Sequence, residues 1–397
     1  MTAMRQAVWS KNALAATGVI VLVLVAGCDS WRMSSREPAV ASEQEPQPAE
    51  SIGIEPLVTE RAATSISLFG EHPDRASVPF ETRPATSILQ HTNSPEGADF
   101  DPALDATGRT LAFASTRNSA RPDIYIKSVG GAAVTQVTSD PASDIQPEFS
   151  PDGQRLVFAS DRSGNFDIWM IGIDGQGATQ LTNTPAPEVH PTWSPDGQRI
   201  CYCRLDSRSG QWELWIIDLR QPGTRKFVGY GAYPRWSPVG DVILYQRARE
   251  RGQRWFSIWT LQLVNGEPRF PTEIAASATE AYILPAFSPD GRRIVFCAAS
   301  PSGDGGGGHP SASDLWIVNA DGSEPVRLTE SQGSNYSPIW GRDGRVYFTS
   351  TRGGSESIWS VSPIMSIPAT RPAPVEGSWE RTAVSLDSHE ARPGRGK

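Results

Sequence analysis

Eight side chains have the types and spacing for acid–base or cation chemistry: Asp99, Asp101, Asp144, Glu188, His190, Tyr233, Tyr282 and Asn335. Each lies one or three residues before a proline that recurs at positions 102, 147, 191, 234, 285 and 338. Three before the proline the series reads Asp99, Asp144, Glu188, Gly231, Tyr282, Asn335; one before, it reads Asp101, Gln146, His190, Tyr233, Leu284, Ser337. Side chains alternate faces along a strand, so these two positions are expected to share a face. Four carboxylates and one histidine then gather in one arc, with aromatic and neutral groups in the rest. Such an arc suits a basic group or a hard cation such as Ca²⁺, which prefers oxygen ligands. In the alternative, the acids cap turns and strand starts through backbone hydrogen bonds.

Other reactive residue types are sparse. Of four cysteines, Cys201 and Cys203 stand two apart in a strand-like run and Cys297 is remote. No CxxC pair and no His/Cys cluster with zinc spacing occurs, so these three read as small buried apolar groups. Arg117, Arg162 and Arg352 occupy one recurring turn position, and Asp123 and Asp167 begin the strand that follows. An exposed Arg–Asp clasp across that turn is expected, contributing about 0 to 1 kcal/mol. A basic loop at 247–255 offers a site for an acidic partner or is a solvated hairpin tip. The glycine-rich loop at 302–309 has no Lys-Ser/Thr after it and is not a phosphate cradle. The formal net charge of −8 argues against general nucleic-acid binding, which needs a basic face.

These residues are carried on a repeat. Its clearest unit is Pro147-Glu148-Phe149-Ser150-Pro151-Asp152-Gly153-Gln154-Arg155-Leu156-Val157-Phe158. It recurs from each of the other five prolines, which are 45, 44, 43, 51 and 53 residues apart in order. A short strand enters Ser-Pro-Asp-Gly, where Pro presets φ, Asp bonds nearby amides and Gly accepts positive φ. The run Leu156–Ala159 is nearly all apolar, as in a strand buried on both faces. A third strand follows, marked by one large aromatic per unit: Tyr125, Trp169, Trp215, Trp259, Trp316 and Trp359. A fourth strand ends in Leu-Thr. Six units of this length predict an all-β fold, a six-bladed β-propeller with four strands per blade. The sixth unit stops after its third strand, whereas Ser87–Asn93 reads like a fourth-strand ending. That N-terminal strand is expected to complete the last blade, leaving no open sheet edge there.

The unit P-x-[WF]-S-P-D-G-x-x-[IL]-x-[FY], followed by D-[IL]-[WY] and a Leu-Thr ending, resembles the PD40 repeats of TolB-type propellers and covers residues 86–361. The resemblance implies a docking surface for a protein or cell-envelope component. TolB itself has an α/β domain before its propeller, for which the segment before 86 is expected to be too short. Prolyl-oligopeptidase-type peptidases pair related propellers with a catalytic domain, and no G-x-S-x-G elbow occurs in this chain. Oligogalacturonide lyases are similar propellers with a His-bound metal, and only His190 here takes a channel-lining slot.

Four segments follow. Arg5 and Lys11 precede an apolar run, Ala13 to Val25, that ends in Leu24-Val25-Ala26-Gly27-Cys28. This resembles the signal peptide and lipobox of bacterial lipoproteins, and implies acylation of Cys28 and a membrane anchor. Asp29 resembles an inner-membrane retention signal of enterobacterial lipoproteins. Residues 29–85, rich in Pro, Glu and Ser, are expected to be a disordered tether. The propeller spans 86–362, and residues 363–397 are a disordered tail. The leading expectation is a monomeric, non-catalytic propeller of the bacterial cell envelope, facing the periplasm or exterior. The alternative is a propeller-type glycan lyase or hydrolase using the channel acids and His190.

Overall fold

The computed structural model describes residues 87–221, 223–248, 256–300, 313–330 and 333–363. The expected signal segment, Cys28, the tether, the tail, most of the 247–255 loop and the glycine-rich loop lie outside the described residues. Among the described residues no helix is long and apolar enough to cross a membrane.

Twenty-four strands among the described residues form six four-stranded antiparallel sheets. The first blade contains β2 (Asp99–Leu104), β3 (Thr110–Ser115), β4 (Asp123–Ser128) and β5 (Val134–Gln136). The second contains β6 (Asp144–Phe149), β7 (Arg155–Ser160), β8 (Asp167–Gly172) and β9 (Thr179–Gln180). The third contains β10 (Glu188–Trp193), β11 (Arg199–Leu205), β12 (Trp212–Asp218) and β13 (Arg225–Tyr230). The fourth contains β14 (Ala232–Trp236), β15 (Val242–Ala248), β16 (Phe256–Val264) and β17 (Glu267–Ala275). The fifth contains β18 (Ala281–Phe287), β19 (Arg293–Ala299), β20 (Ser313–Asn319) and β21 (Val326–Arg327). In the sixth, β22 (Asn335–Trp340), β23 (Val346–Ser350) and β24 (Ser357–Val361) are joined by β1 (Ile88–Gln90), which pairs antiparallel with β24.

Local chemistry explains the blade. Ser150 Oγ donates to Asp152 and accepts from Arg155 N–H at 3.0 Å, while Gly153 takes φ 70° to close the turn. The same bonds recur at Ser194 and Ser288. Second strands are buried almost throughout, and blades pack face to face on them. Leu111, Phe113 and Tyr125 of the first blade meet Ile358 of the sixth. Leu244 and Ile258 of the fourth meet Ile294 and Phe296 of the fifth.

The Leu-Thr endings have a structural role. Thr138, Thr182 and Thr329 hydroxyls accept the N–H of Ile124, Ile168 and Leu315 in their own third strands, at 2.8–2.9 Å. Thr92 makes the same bond to Ile358 at 2.9 Å, across 266 residues of sequence. His91 N–H donates to Ile358 O at 2.8 Å, as Leu181 N–H donates to Ile168 O. The segment around residue 90 therefore has the bonding of a fourth strand in the sixth blade.

One feature of every first strand departs from the sequence reading. The residue before each recurring proline has positive φ: Asp101 51°, Gln146 57°, His190 54°, Tyr233 53°, Leu284 55° and Ser337 47°. The pairing register slips at each of these points. Proline cannot donate to the ladder, and a bulge accommodates it. The extra residue breaks the alternation of faces, so positions one and three before the proline do not share one.

Candidate functional site

The six bulges surround a cavity on the channel axis. Its walls are the recurring prolines and the residue before each, with Arg235 added from the fourth blade. Of the eight candidate residues, Asp101, His190 and Tyr233 line this cavity. Asp99, Asp144, Glu188 and Asn335 do not; each is 0% exposed and points into the blades. Tyr282 packs at a tilt against Phe296, with ring centroids 4.7 Å apart, in the seam between the fourth and fifth blades. The expected arc of four carboxylates is therefore not formed. Among the described residues no three His, Cys, Asp or Glu side chains converge as a metal-binding group, which leaves the expected Ca²⁺ arc without its ligands.

The displaced acids form a second repeated device. Asp99 accepts Ser115 Oγ at 2.6 Å and Arg117 Nη2 at 2.8 Å. Both Asp144 carboxylate oxygens accept from Arg162 Nη2, at 2.8 and 3.0 Å. Asn335 Oδ1 accepts Ser350 Oγ and Arg352 Nη2, at 2.8 and 2.9 Å. Each guanidinium also lies over aromatic rings; Arg162 stands 4.7 Å from Trp169 and Arg352 5.4 Å from Trp359. The arginine clasp thus exists, but it is built on the first strand, with its acid fully buried and its guanidinium partly buried. Asp123 and Asp167 instead hold the fourth strand, accepting from Gln136 and Gln180. The third blade breaks the pattern: both Glu188 carboxylate oxygens are buried without a hydrogen bond, and Arg225 lies 3.9 Å away.

In the channel, bonds run from blade to blade. Ser337 Oγ donates to Asp101 at 3.1 Å. His190 backbone N–H donates to Gln146 Oε1 at 2.9 Å, which leaves the Gln146 amide nitrogen facing His190 Nε2 at 2.7 Å. An amide nitrogen only donates, so Nε2 is the acceptor and the proton is on Nδ1. Nδ1 faces Cys203 Sγ at 3.5 Å, and the ring lies on Tyr233 with centroids 3.6 Å apart. Both ring nitrogens are committed, and burial beside Arg235 holds His190 well below the usual histidine range. It is poorly placed to act as a base or as a metal ligand.

Two residues that sequence reasoning missed complete the site. Arg235 Nη1 donates to Glu148 Oε2 at 2.7 Å, joining the fourth blade to the second. Glu148 Oε1 also accepts Thr192 Oγ1 and Trp193 N–H, both at 2.9 Å. Both stand one residue after a recurring proline, and of the two Arg235 lines the cavity. Burial pushes the Asp101 carboxyl up to about 6, against the opposing Ser337 bond. Tyr233 is 8% exposed, and its hydroxyl is buried without a partner. Cys201, Cys203 and Cys297 are free and buried; burial pushes the Cys203 and Cys297 thiols up to about 12.

Residues 83–280 match the TolB beta propeller domain family, PD40. A stretch of 106 residues is 30% identical to an uncharacterized protein of Agrobacterium fabrum, covering 26% of this chain and 31% of that one. A stretch of 42 residues is 48% identical to the Tol-Pal system protein TolB of Bordetella pertussis, covering 10% of each chain. The chain thus spans under a third of the length of these relatives. Among solved structures, a TolB candidate from Agrobacterium tumefaciens matches with a TM-score of 0.52 at 22% identity, over 70% of this chain and 97% of that one. That likeness shows the fold alone. On the family match and the six four-stranded blades, the chain is a TolB-like β-propeller protein.

Proposed function

We propose that this propeller is a non-catalytic docking platform of the bacterial cell envelope, tethered through a lipid on Cys28 and binding a protein partner at one pole of its channel. The observation that carries the reading is the ring of bulges. Six equivalent backbone positions present six different side chains around one axis, and the polar groups of Asp101, Gln146, His190 and Ser337 are tied to neighbouring blades, the Tyr233 hydroxyl being the exception. A rigid ring of unlike groups suits recognition of a shaped partner surface. The stretch shared with the Tol-Pal system protein TolB of Bordetella pertussis supports an envelope setting. Binding as a monomer fits a propeller whose first and last sheets have a full set of four strands.

The glycan lyase or hydrolase reading needs a free histidine among converging acids. His190 is bonded at both nitrogens, and Asp99, Asp144 and Glu188 point away from the channel.

Chemical crosslinking in intact cells followed by mass spectrometry tests the proposal. One recurring envelope partner is expected, at much lower yield from a Cys28→Ala variant, which should also leave the membrane fraction. No recurring partner from the anchored protein would overturn the docking role.

A further inference from the structure

The channel cavity combines one uncompensated charge with one unpartnered hydroxyl. Its charged side chains are few. Arg235 is neutralised by Glu148 at 2.7 Å. His190 is held in its neutral Nδ1–H form by the Gln146 amide. Asp101 accepts the Ser337 hydroxyl and the Gln146 backbone N–H, both neutral donors, and has no cationic partner of its own among the described residues. The nearest other influences on it are Arg235, already paired, and Glu356, which is bonded to Tyr336. Tyr233, on the same cavity wall, buries a hydroxyl that bonds to nothing. Buried polar groups are nearly always bonded, and an exception calls for an explanation such as an absent ligand.

Size narrows the chemistry. The narrow part of the cavity has room for about two or three waters, so only a small head group fits within the ring of bulges. A primary ammonium is the size of one water and carries three donors and a positive charge. A carboxylate, a serine hydroxyl and a phenol oxygen are suitable acceptors for it. An anion would meet Asp101 directly.

We infer that the channel receives the ammonium head of one lysine side chain of the docked partner, bound to Asp101 with Tyr233 as the second contact. This rests on the docking reading and names its chemistry. The ring of bulges holds Asp101 and Tyr233 on rigid backbone, so the pocket is formed before the partner arrives.

The probe is methylammonium chloride added to the full chain. Thermal unfolding is followed against equal concentrations of sodium chloride and tetramethylammonium chloride, because a ligand of the folded state alone raises the midpoint in a saturable way. Methylammonium is expected to raise the midpoint above both control salts. Asp101→Asn keeps the shape and the Ser337 contact, and should shift saturation to about tenfold higher concentration or abolish it. Tyr233→Phe should weaken the response, whereas Glu330→Gln, a change at an exposed surface acid, should leave it unchanged. Equal midpoints in all three salts, or an undiminished response in Asp101→Asn, overturn the inference. The source is tested separately: Asp101→Asn should also lower capture of the crosslinked partner in intact cells. Undiminished capture would show that the partner docks without this lysine, leaving the docking reading intact. A selective methylammonium response with no partner captured would sink the docking reading and keep the ammonium site.

Discussion

At the scale of single residues, the same charged types have opposite worth according to where they lie. Asp144 is 0% exposed and depends on Arg162. Arg162→Ala leaves that carboxylate buried and unpaired, and a loss of about 3 kcal/mol is expected by urea denaturation. Arg220→Ala breaks a shorter pair with Asp218, 2.6 Å against 2.8 Å, but one at the surface, and no measurable loss is expected. Asp101 and His190 give contrasting pH behaviour. Asp101 titrates near 6 in the fold against 3.8 when unfolded, so its ionised form penalises the fold above pH 6. Asp101→Asn should therefore gain about 1 to 2 kcal/mol at pH 7.5, a gain that fades as pH falls toward 4. His190 is lowered in the fold, so unfolded chains take up its proton first and stability falls as pH drops through about 6.5. His190→Asn should flatten that part of the profile, measured as unfolding free energy against pH.

At the scale of elements, two devices recur: the threonine bond that fastens a fourth strand and the bulge that opens a first strand. Thr182→Val strips the Ile168 N–H of its acceptor and should cost about 1 to 2 kcal/mol. Thr92→Val should cost as much, although Thr92 and Ile358 are 266 residues apart in sequence. A neutral Thr92→Val, read by the same denaturation, would mean that the N-terminal segment is not fastened as a blade strand. The blade was legible in the sequence because Ser-Pro-Asp-Gly, the apolar second strand and the single third-strand aromatic are each fixed by local physics. The candidate site was only partly legible. Counting faces by twos put Asp99 beside Asp101, and one extra residue in the strand separates them. The recurring proline was the available signal, since a proline inside a paired strand requires a bulge. Applied there, it also brings Glu148 and Arg235 into view, one residue further along. The Arg117, Arg162 and Arg352 clasp was seen in outline, but its partner was assigned to the third strand rather than the first.

At the scale of the whole molecule, the propeller turns a repeated unit into a non-repeating surface. The backbone is nearly six-fold, so each blade offers an equivalent place on the axis; substitution has made those places carboxylate, amide, imidazole, phenol, isobutyl and hydroxyl in turn. Under the proposed docking role, that division separates stability, held by the seams between blades, from recognition, assigned to the axis. Docking at a pole is tested most directly by a photocrosslinking amino acid placed at three exposed positions of the anchored protein in living cells. Val239 lies in a tight turn at one end of the channel, Pro185 in a loop between blades, and Phe270 on the outer strand β17. The expected result is one discrete crosslinked partner from Val239 or from Pro185 and none from Phe270. Capture from Phe270 alone, or the same products from all three positions, would contradict docking at the channel.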